Sequence, residues 1–372
     1  MRIVVSGGGT GGHIYPALAV AESLKRLRPE TEILYIGATT GMETGIVPQH
    51  GVEFRAVTAK KLRKTVSFST LGVAFSLLRG YGEARKALRE FRADAVVGTG
   101  GYVAAATVLA ATRLGIPTVI HEGNAIAGRT NLWLARFAGR ICVTFEASVP
   151  QFSAGKTVVT GFPTRAGIAA PESVSQAWAR QTFAGLSAER FTVLVTGGSQ
   201  GARAINNVVL DAARDLQAAG IQIIHHVGAK NFEDAMRRAQ ERGLLEAGRY
   251  LPVAYLNSVE MPLAWRACDV VVCRGGISTL TESLVNARPA IIIPLPSAYA
   301  DHQTYNAREL EAAGAAFLAP ESALTAPKLI ADLLSLRDNS QIYQNMANAC
   351  RALARPDAAD RVAQEVFTRA GI

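Results

Sequence analysis

The sequence is poor in the features that mark secreted, zinc-binding and membrane-spanning proteins. Its 372 residues include four cysteines, and no two of them form a C-x-x-C pair, which argues against a disulfide framework and against a zinc knuckle. No apolar run reaches the roughly 18 residues that cross a bilayer, and the chain starts with a strand and a glycine loop rather than a signal peptide. We therefore expect a cytoplasmic protein whose cysteines are small buried apolar residues.

Two nucleotide-binding signatures are absent or incomplete. There is no G-x-x-x-x-G-K-[ST] segment, which argues against a P-loop ATPase or kinase. Gly7, Gly9 and Gly12 satisfy G-x-G-x-x-G, but the second predicted strand ends in Gly37 and Ala38, where a dinucleotide site would carry an acidic residue for the ribose. A nicotinamide-dependent oxidoreductase is therefore a weak alternative.

What the sequence has is an alternation of short apolar runs with amphipathic helical stretches. Runs such as "RIVVSG", "DAVVGTG" and "DVVVCRGG" are typical of parallel strands buried on both faces. The unit "RIVVSGGGTGGH" has a counterpart in "FTVLVTGGSQGAR" at 191–203, and each predicts the start of a nucleotide-fold domain. We predict an α/β protein of two Rossmann-like, doubly wound parallel-sheet domains, residues 1–163 and 164–356, with a last helix at about 357–372 that packs back on the first domain.

Glycine loops follow four of the predicted strands, at 7–12, 98–101, 197–201 and 275–276. Glycine lets a ligand approach the main chain, and the amides at a helix start attract anionic groups, although each loop could also simply turn the chain. His13 ends the first loop at a helix start, where positive potential favours a neutral imidazole that could accept a proton from a hydroxyl. A hydrogen bond from His13 to a neighbouring loop is the alternative.

Two later stretches suit a nucleotide and a sugar. In "CRGGISTLTES" (273–283), a helix beginning at Gly276 would offer amides to a diphosphate beside Arg274, and Glu282 could reach a sugar diol; a solvated surface carboxylate is the alternative. In "PSAYADHQTYNARE" (296–309) the side chains suit sugar hydroxyls, while helix capping by Asp301 is equally compatible. The side chains that cluster there are Asp301, His302, Gln303 and Asn306.

The net charge of +9 belongs entirely to residues 1–163, since the rest of the chain is balanced. Much of it lies in "AKKLRKTVSFSTLGVAFSLLRGYGEARKALREFR" (59–92), where basic and apolar residues alternate as they do in segments that bind an anionic leaflet. A packed helix with a solvated basic face is the alternative, and no module for nucleic acid is present. The candidate membrane residues are Lys60, Lys61, Arg63, Lys64, Phe68, Leu71, Phe75, Leu78 and Arg79.

Seven stretches occur in the order found in one bacterial family. They are "GGGTGGHIYPALAVAE", "GTGGYVAAAT", "HEGNAIAGRTNLWLA", "GFPTR", "TGGSQGARAIN", "CRGGISTLTE" and "DHQTYNA", and they span essentially the whole chain. In them the sequence resembles the MurG family of glycosyltransferases. Its members join N-acetylglucosamine from UDP-N-acetylglucosamine to undecaprenyl-pyrophosphoryl-N-acetylmuramoyl-pentapeptide (lipid I), giving lipid II for peptidoglycan. The resemblance implies the GT-B fold, two Rossmann-like domains facing across a cleft, and an inverting displacement by the C4 hydroxyl of N-acetylmuramic acid.

The resemblance also implies roles for single residues. His13 matches the family's loop histidine and is the first candidate for the general base, with Glu122 as the second. The donor would be held by Ile277, Ser278, Thr279, Leu280, Thr281 and Glu282, with Glu282 on the ribose, Ser199 on the phosphate, the main chain of Leu256 on the uracil and Gln303 on the sugar hydroxyls. The sugar pocket would be completed by Thr10, Gly11, Gly12, Asn124 and Arg165.

No D-x-D carboxylate pair is visible, so we expect helix dipole and amides to replace an obligatory metal, with a divalent cation at most stimulatory. The implied partners are UDP-N-acetylglucosamine, lipid I, the cytoplasmic leaflet of an anionic membrane and other cell-wall synthesis proteins. The implied location is peripheral, on the cytoplasmic face of the inner membrane, in a process that serves cell shape and division.

Three positions depart from the family pattern. Gly123 stands for the glutamine of "HEQN", Phe162 for the asparagine of "GNP", and Gly275 lies in "CRGGIS" where the family has a serine-containing "RSGA". A non-catalytic nucleotide-sugar binding protein is therefore one alternative. The others are a UDP-N-acetylglucosamine 2-epimerase, which uses a similar fold and the same nucleotide, and another UDP-sugar-dependent glycosyltransferase of the GT-B fold.

Overall fold

The computed structural model describes residues 1–59, 69–169, 172–183, 185–198, 200–246 and 248–371. Its contacts divide the chain into two compact units: the N-terminal unit, residues 1–166 with 355–372, and the C-terminal unit, residues 167–354. The sequence predicts the boundary after residue 163, and the observed division falls after residue 166.

The strands and helices alternate along the chain. The strands are β1 (Arg2–Ser6), β2 (Glu32–Ala38), β3 (Glu53–Val57), β4 (Ala95–Gly98), β5 (Thr118–Glu122), β6 (Arg140–Val143), β7 (Thr157–Val159), β8 (Thr192–Thr196), β9 (Gln222–His226), β10 (Tyr250–Val253), β11 (Val270–Cys273), β12 (Ala290–Ile292) and β13 (Ala316–Leu318). The α-helices are α1 (Gly11–Leu27), α2 (Glu43–Gln49), α3 (Ser69–Phe91), α4 (Gly101–Arg113), α5 (Arg129–Leu134), α6 (Gln176–Trp178), α7 (Arg203–Ala218), α8 (Phe232–Glu241), α9 (Glu260–Ala267), α10 (Ile277–Val285), α11 (His302–Ala312), α12 (Ala326–Asp338), α13 (Ser340–Leu353) and α14 (Ala358–Ala370).

The N-terminal unit is built on a seven-stranded parallel sheet in the order β3-β2-β1-β4-β5-β6-β7. Its central strands are buried on both faces, which is why they read as unbroken apolar runs. The C-terminal helix α14 belongs to this unit: Val366 and Phe367 join a core with Ile3, and Arg140 pairs with Glu365 at 2.7 Å.

The C-terminal unit is built on a six-stranded parallel sheet in the order β10-β9-β8-β11-β12-β13. Helices α7 and α12 cover part of one face, where Val209 and Leu333 join the core. The buried guanidinium of Arg180 lies 2.5 Å from Asp269 and donates to the carbonyl of Ala267, which fixes the segment leading into β8. The predicted fold class, two doubly wound parallel-sheet domains, is confirmed.

In both sheets the first strand of the unit lies between strands whose connections leave in opposite directions. This switch point falls between β1 and β4 in one sheet and between β8 and β11 in the other. Ligands of open parallel sheets bind beyond the carboxyl ends of the strands at such points. Within the described residues, no helix is long and apolar enough to span a bilayer.

Candidate functional site

The first glycine loop lies at the switch point of the N-terminal sheet and uses its glycines in two ways. A Cβ on Gly7 would lie 2.2 Å from the hydroxyl of Thr99, and one on Gly8 would lie 2.4 Å from Oε1 of Glu43, so both serve close packing. A Cβ on Gly12 would meet no atom nearer than 3.8 Å. The main chain near Gly12 is therefore the part of the loop that a ligand can approach.

His13 lies in the first turn of α1, with its ring against the loop that follows β4. Its Nδ1 atom is 3.0 Å from the carbonyl oxygen of Thr99, and the Thr99 hydroxyl donates to the carbonyl oxygen of His13 at 2.7 Å. Because a carbonyl only accepts, the Nδ1 atom must carry the proton, and the basic lone pair of a neutral ring is then on Nε2. The hydrogen bond to a neighbouring loop is thus present, and it selects the tautomer that a general base needs.

Glu122, the second candidate base, ends β5 and is 2 % exposed. Its Oε1 accepts from the amide of Asn124 at 2.9 Å and from the Asn124 side chain at 3.2 Å. Its Oε2 accepts from the amide of Gly128 and from the Asn131 side chain, both at 2.9 Å. Four donors occupy the carboxylate, an environment that suits a residue shaping the 122–131 loop better than one taking a proton from substrate.

The other predicted residues of this unit surround the same loops. Thr10 is the exposed N-cap of α1 and its side chain makes no cap hydrogen bond; Gly11 opens the helix. Asn124 is held against Glu122, and the guanidinium of Arg165 lies 5.2 Å from the ring centre of Tyr15 on α1, a cation–π contact. The structure therefore places Arg165 beside Tyr15, which is three residues after Gly12 on α1.

Glu43 is a residue of this region that the sequence analysis missed. It is fully buried, and its carboxylate accepts from the amides of Gly9 and Ala38, each at 3.2 Å. It therefore joins the end of β2 to the glycine loop after β1. Its only sequence signal is an acidic residue shortly after the second strand, in "GATTGME".

In the C-terminal unit, a cavity of about 360 Å³ opens at the switch point between β8 and β11. Its walls are the glycine loop after β8 with the start of α7, the residues that follow β11 with the first turn of α10, and the segment after β12 with the first turn of α11. They comprise Gly197, Gly198, Gln200, Gly201, Ala202, Arg203, Arg274, Gly276, Thr279, Leu295 and Gln303. Ser199 lies outside the described residues.

Helix α10 begins after Gly276, as the sequence predicts, and its first turn faces this cavity through Thr279. The N-cap Gly276 provides no side chain to satisfy the first amides, and a Cβ there would meet nothing within 4 Å. A helix start with unpaired amides and open space above it is suited to a phosphate.

Arg274 contributes less free charge to the cavity than the sequence predicts. Its guanidinium lies 2.5 Å from the carboxylate of Glu321 and donates to the carbonyls of Ile293 and Pro294, both at 3.2 Å. It therefore ties the segment after β12 to the segment before α12, and an acidic partner balances its charge.

Glu282 is half-buried on α10, and Nε1 of Trp265 donates to its Oε2 at 3.2 Å. The indole of Trp265 is itself fully buried, so it fixes the direction of the carboxylate. The alternative of a fully solvated carboxylate is not what the structure has. Of the neighbouring positions, Ile277, Leu280 and Thr281 are buried, Ser278 and Thr279 are half-buried, and Leu256 is buried just beyond β10.

Two of the departures from the family pattern have a packing reason. A Cβ on Gly275 would lie 2.4 Å from the carbonyl oxygen of Gln303, so a serine there would require α11 to move. Gln303 in turn accepts from the amide of Leu295 at 3.0 Å, and Asn306 donates to the Gly275 carbonyl at 3.2 Å. Phe162 is 2 % exposed and packs edge-on against His121, so its ring belongs to the core.

Only part of the segment predicted to bind a membrane, residues 59–92, belongs to the described residues. Lys60, Lys61, Arg63, Lys64 and Phe68 lie outside the described residues, and Leu71 and Phe75 fall on α3. Further along α3, Leu77 is 37 % exposed and Leu78 70 % exposed, while Arg79 pairs with Glu83 at 2.9 Å. Among the described residues, no three His, Cys, Asp or Glu side chains are grouped to hold a metal ion.

Comparison with known proteins assigns both units. Residues 3–143 match the glycosyltransferase family 28 N-terminal domain, and residues 192–362 match the glycosyltransferase family 28 C-terminal domain. A protein of Desulfitobacterium hafniense named "UDP-N-acetylglucosamine--N-acetylmuramyl-(pentapeptide) pyrophosphoryl-undecaprenol N-acetylglucosamine transferase" is 40% identical over 365 residues, which cover 97% of each chain.

Comparison with solved structures supports the same family. The chain resembles MurG from Acinetobacter baumannii with a TM-score of 0.75 and 29% identity, over 99% of both chains. It also resembles a UDP-GlcNAc 2-epimerase from Neisseria meningitidis with a TM-score of 0.70, over 99% of this chain and 100% of that one, but at 14% identity this likeness shows the fold alone. The full-length relatives and the two domain matches confirm the predicted family: the chain belongs to the MurG family of glycosyltransferases.

Proposed function

We propose that this protein transfers N-acetylglucosamine from UDP-N-acetylglucosamine to the C4 hydroxyl of N-acetylmuramic acid in lipid I, giving lipid II for peptidoglycan synthesis. The observation that carries the proposal is 40% identity along 97% of the chain to a transferase named for this reaction. The cavity at the β8–β11 switch point supports it, because open amides at the start of α10 and the carboxylate of Glu282 suit a nucleoside diphosphate.

The reaction is an inverting displacement. The C4 hydroxyl oxygen attacks the anomeric carbon, its proton passes to a base, and the bond from that carbon to the β-phosphate oxygen breaks with its electron pair leaving on UDP. His13 is the base, since its Nδ1–H is directed at the Thr99 carbonyl and its basic lone pair is on Nε2. The amides at the start of α10 stabilise the charge that develops on the leaving diphosphate.

The acceptor is lipid-linked, so we place the protein peripherally on the cytoplasmic leaflet of the inner membrane, where it works with other proteins of cell-wall synthesis and so serves cell shape and division. The exposed Leu77 and Leu78 on α3 support an apolar contact with the bilayer, and the basic residues of 59–92 add attraction to anionic lipid.

No metal is required in this mechanism, because helix amides take the place of a cation under the diphosphate. A divalent cation would at most stimulate transfer. Transfer that continues in excess EDTA is the expected result, and a complete loss of transfer that Mg²⁺ restores would contradict it.

The test is transfer of labelled N-acetylglucosamine from its UDP donor to a short-chain lipid I analogue, with UDP binding measured in parallel. Glu282→Ala is expected to weaken UDP binding by about 10- to 100-fold, because a carboxylate–hydroxyl contact is lost. Glu233→Gln, an exposed carboxylate on α8, is the control and should match the wild type. Wild-type protein that binds UDP but produces no lipid II analogue would overturn the proposed acceptor.

The epimerase alternative predicts a different product. It requires interconversion of UDP-N-acetylglucosamine with its 2-epimer in the absence of any acceptor, whereas a transferase leaves the donor sugar unchanged. A purely binding protein predicts UDP-sugar affinity and no turnover with any acceptor. Nuclear magnetic resonance of the donor after incubation distinguishes all three outcomes.

A further inference from the structure

Arg203 is the first residue of α7, and Ala202 alone separates it from the glycine loop after β8. It lines the cavity at the β8–β11 switch point, as do Gly276 and Thr279 at the start of α10. It also lines a second cavity of about 410 Å³ between α7 and α8, together with Lys230 and Arg238. Arg203 is therefore the cation that the two cavities share.

Among the described residues, Arg203 has no hydrogen-bond or ion-pair partner, and it is exposed. The cavity at the β8–β11 switch point, called the donor cavity from here on, is lined by one other arginine, Arg274. Arg274 is paired with Glu321 and donates to two carbonyls. In the second cavity, Arg238 donates to Asn207 at 2.6 Å and lies 3.6 Å from Asp234. Among these three arginines, Arg203 alone brings an uncompensated positive charge.

The position of Arg203 on its helix is unfavourable in the absence of a ligand. It is the first residue of a 16-residue helix, where the macrodipole already places positive potential, and the first turn contains no acidic residue. The N-cap, Ala202, has no side-chain oxygen to satisfy the amides. An anion bound at this helix start would accept hydrogen bonds from the first amides of α7 and from the Arg203 guanidinium, and it would balance the charge of Arg203.

We propose that Arg203 is a further donor-binding residue, which hydrogen-bonds the diphosphate of the UDP-sugar and neutralises the charge that leaves with UDP. The proposal rests on the proposed function for the identity of the donor. When the bond from the anomeric carbon to the β-phosphate oxygen breaks, the electron pair stays on that diphosphate. The guanidinium donates hydrogen bonds to it and transfers no proton, as its permanent charge requires.

The experiment measures the dissociation constants of UDP and of uridine for the wild type, Arg203→Gln, Arg203→Lys and Lys230→Gln. Lys230 is the matched control, because it is an exposed cation of the same unit that lines the second cavity and not the donor cavity. Arg203→Gln is expected to weaken UDP binding about 10- to 100-fold, the usual worth of a charge-assisted hydrogen bond, and to leave uridine binding unchanged. Arg203→Lys should restore part of the loss, and Lys230→Gln should stay within about twofold of the wild type.

Three results would overturn the proposal. They are UDP binding by Arg203→Gln equal to that of the wild type, a parallel loss of UDP and uridine binding, and an equal loss of UDP binding in Lys230→Gln. The second would indicate a structural effect on the whole unit, and the third a diffuse effect of net charge.

Failure of the proposed function gives a different pattern. If wild-type protein does not transfer N-acetylglucosamine but the UDP and uridine results hold, the acceptor assignment is wrong while Arg203 stands as a ligand of a nucleoside diphosphate. If transfer proceeds and Arg203→Gln retains both UDP affinity and kcat, the function stands and the role of Arg203 is wrong.

Discussion

The Nδ1 atom of His13 donates to the carbonyl oxygen of Thr99 at 3.0 Å, and the Thr99 hydroxyl returns a hydrogen bond to the carbonyl of His13 at 2.7 Å. This reciprocal pair connects the first turn of α1 to the loop after β4, across the switch point of the sheet. It holds the imidazole in one tautomer and one orientation, the two conditions that a general base must meet before its basicity matters.

Replacing His13 by alanine is expected to lower kcat by about 100- to 10,000-fold, the usual contribution of a positioned base. Binding of UDP should be unchanged, since His13 belongs to the N-terminal unit and the donor cavity to the C-terminal unit. Steady-state transfer and UDP titration on the same preparation test this. A variant that keeps more than a tenth of the wild-type kcat would show that another group takes the proton.

Replacing Glu43 by glutamine is expected to destabilise the protein by about 1–3 kcal/mol. The two oxygens of the Glu43 carboxylate each accept one backbone N–H, from Gly9 and from Ala38. Glutamine has only one acceptor oxygen, so its NH₂ group would face one of these two N–H groups, and that N–H would lose its acceptor. Urea unfolding measures the loss. Glu53→Gln on the edge strand β3 is the control and should change the free energy of unfolding by no more than about 0.5 kcal/mol, because Glu53 is exposed.

Stability is expected to fall as the pH falls below about 6.5, in part because of His225. Burial and, to a smaller extent, the neighbouring His226 lower the pKa of His225 from 6.5 to about 3. Between those two pH values the unfolded chain binds a proton that the folded chain does not, so the free energy of unfolding rises with pH by about 1.4 kcal/mol per pH unit for this residue. In the folded protein His225 is neutral and makes two hydrogen bonds, one with the Tyr250 hydroxyl at 2.7 Å and one with the Asn206 side chain at 3.1 Å.

The measurement is the free energy of unfolding of wild type and His225→Gln at several pH values between 5 and 7.5. The variant should be less stable at pH 7.5, because it loses fitted hydrogen bonds, and its stability should depend less steeply on pH. His121, whose pKa burial lowers to about 4, contributes in the same direction and remains in both proteins. Equal pH slopes in the two proteins would contradict a buried neutral His225.

Replacing Leu78 by serine is expected to weaken binding to anionic phospholipid vesicles by about tenfold. Burial of a leucine side chain in the bilayer contributes about 1.5 kcal/mol or more, and serine lacks this contribution. Val259→Ser is a matched control, since Val259 is 71 % exposed in the C-terminal unit and Leu78 is 70 % exposed in the N-terminal unit. Vesicle sedimentation measures both. An equal decrease in the two variants would speak against a lipid contact specific to α3.

The sequence predicts the parts of this protein that depend on local pattern. Unbroken apolar runs identified central strands such as β1 and β8, and glycine after a strand identified the loops at both switch points. The start of α10 after Gly276 was also predictable, because a strand, two glycines and an amphipathic run follow one another in "VVVCRGGISTLTES".

What the sequence could not supply are pairings between residues far apart along the chain. The sequence around Arg274 does not predict that Glu321 balances its charge. The sequence around Gly9 does not predict that its amide donates a hydrogen bond to Glu43. Likewise, four donors converge on Glu122 only once the 122–131 loop has closed on it. A candidate base and a loop anchor look alike until their hydrogen bonds are known.

The helix α14 completes the core of the N-terminal unit although it is the last helix of the chain. During synthesis, the apolar face that holds Ile3 and Ile14 is therefore made first and covered last, after Val366 and Phe367 have left the ribosome. The C-terminal unit is continuous in sequence and has all of its strands available earlier. The N-terminal unit is thus built from two separated stretches of chain, and its core stays incomplete until residues 358–370 have been synthesised.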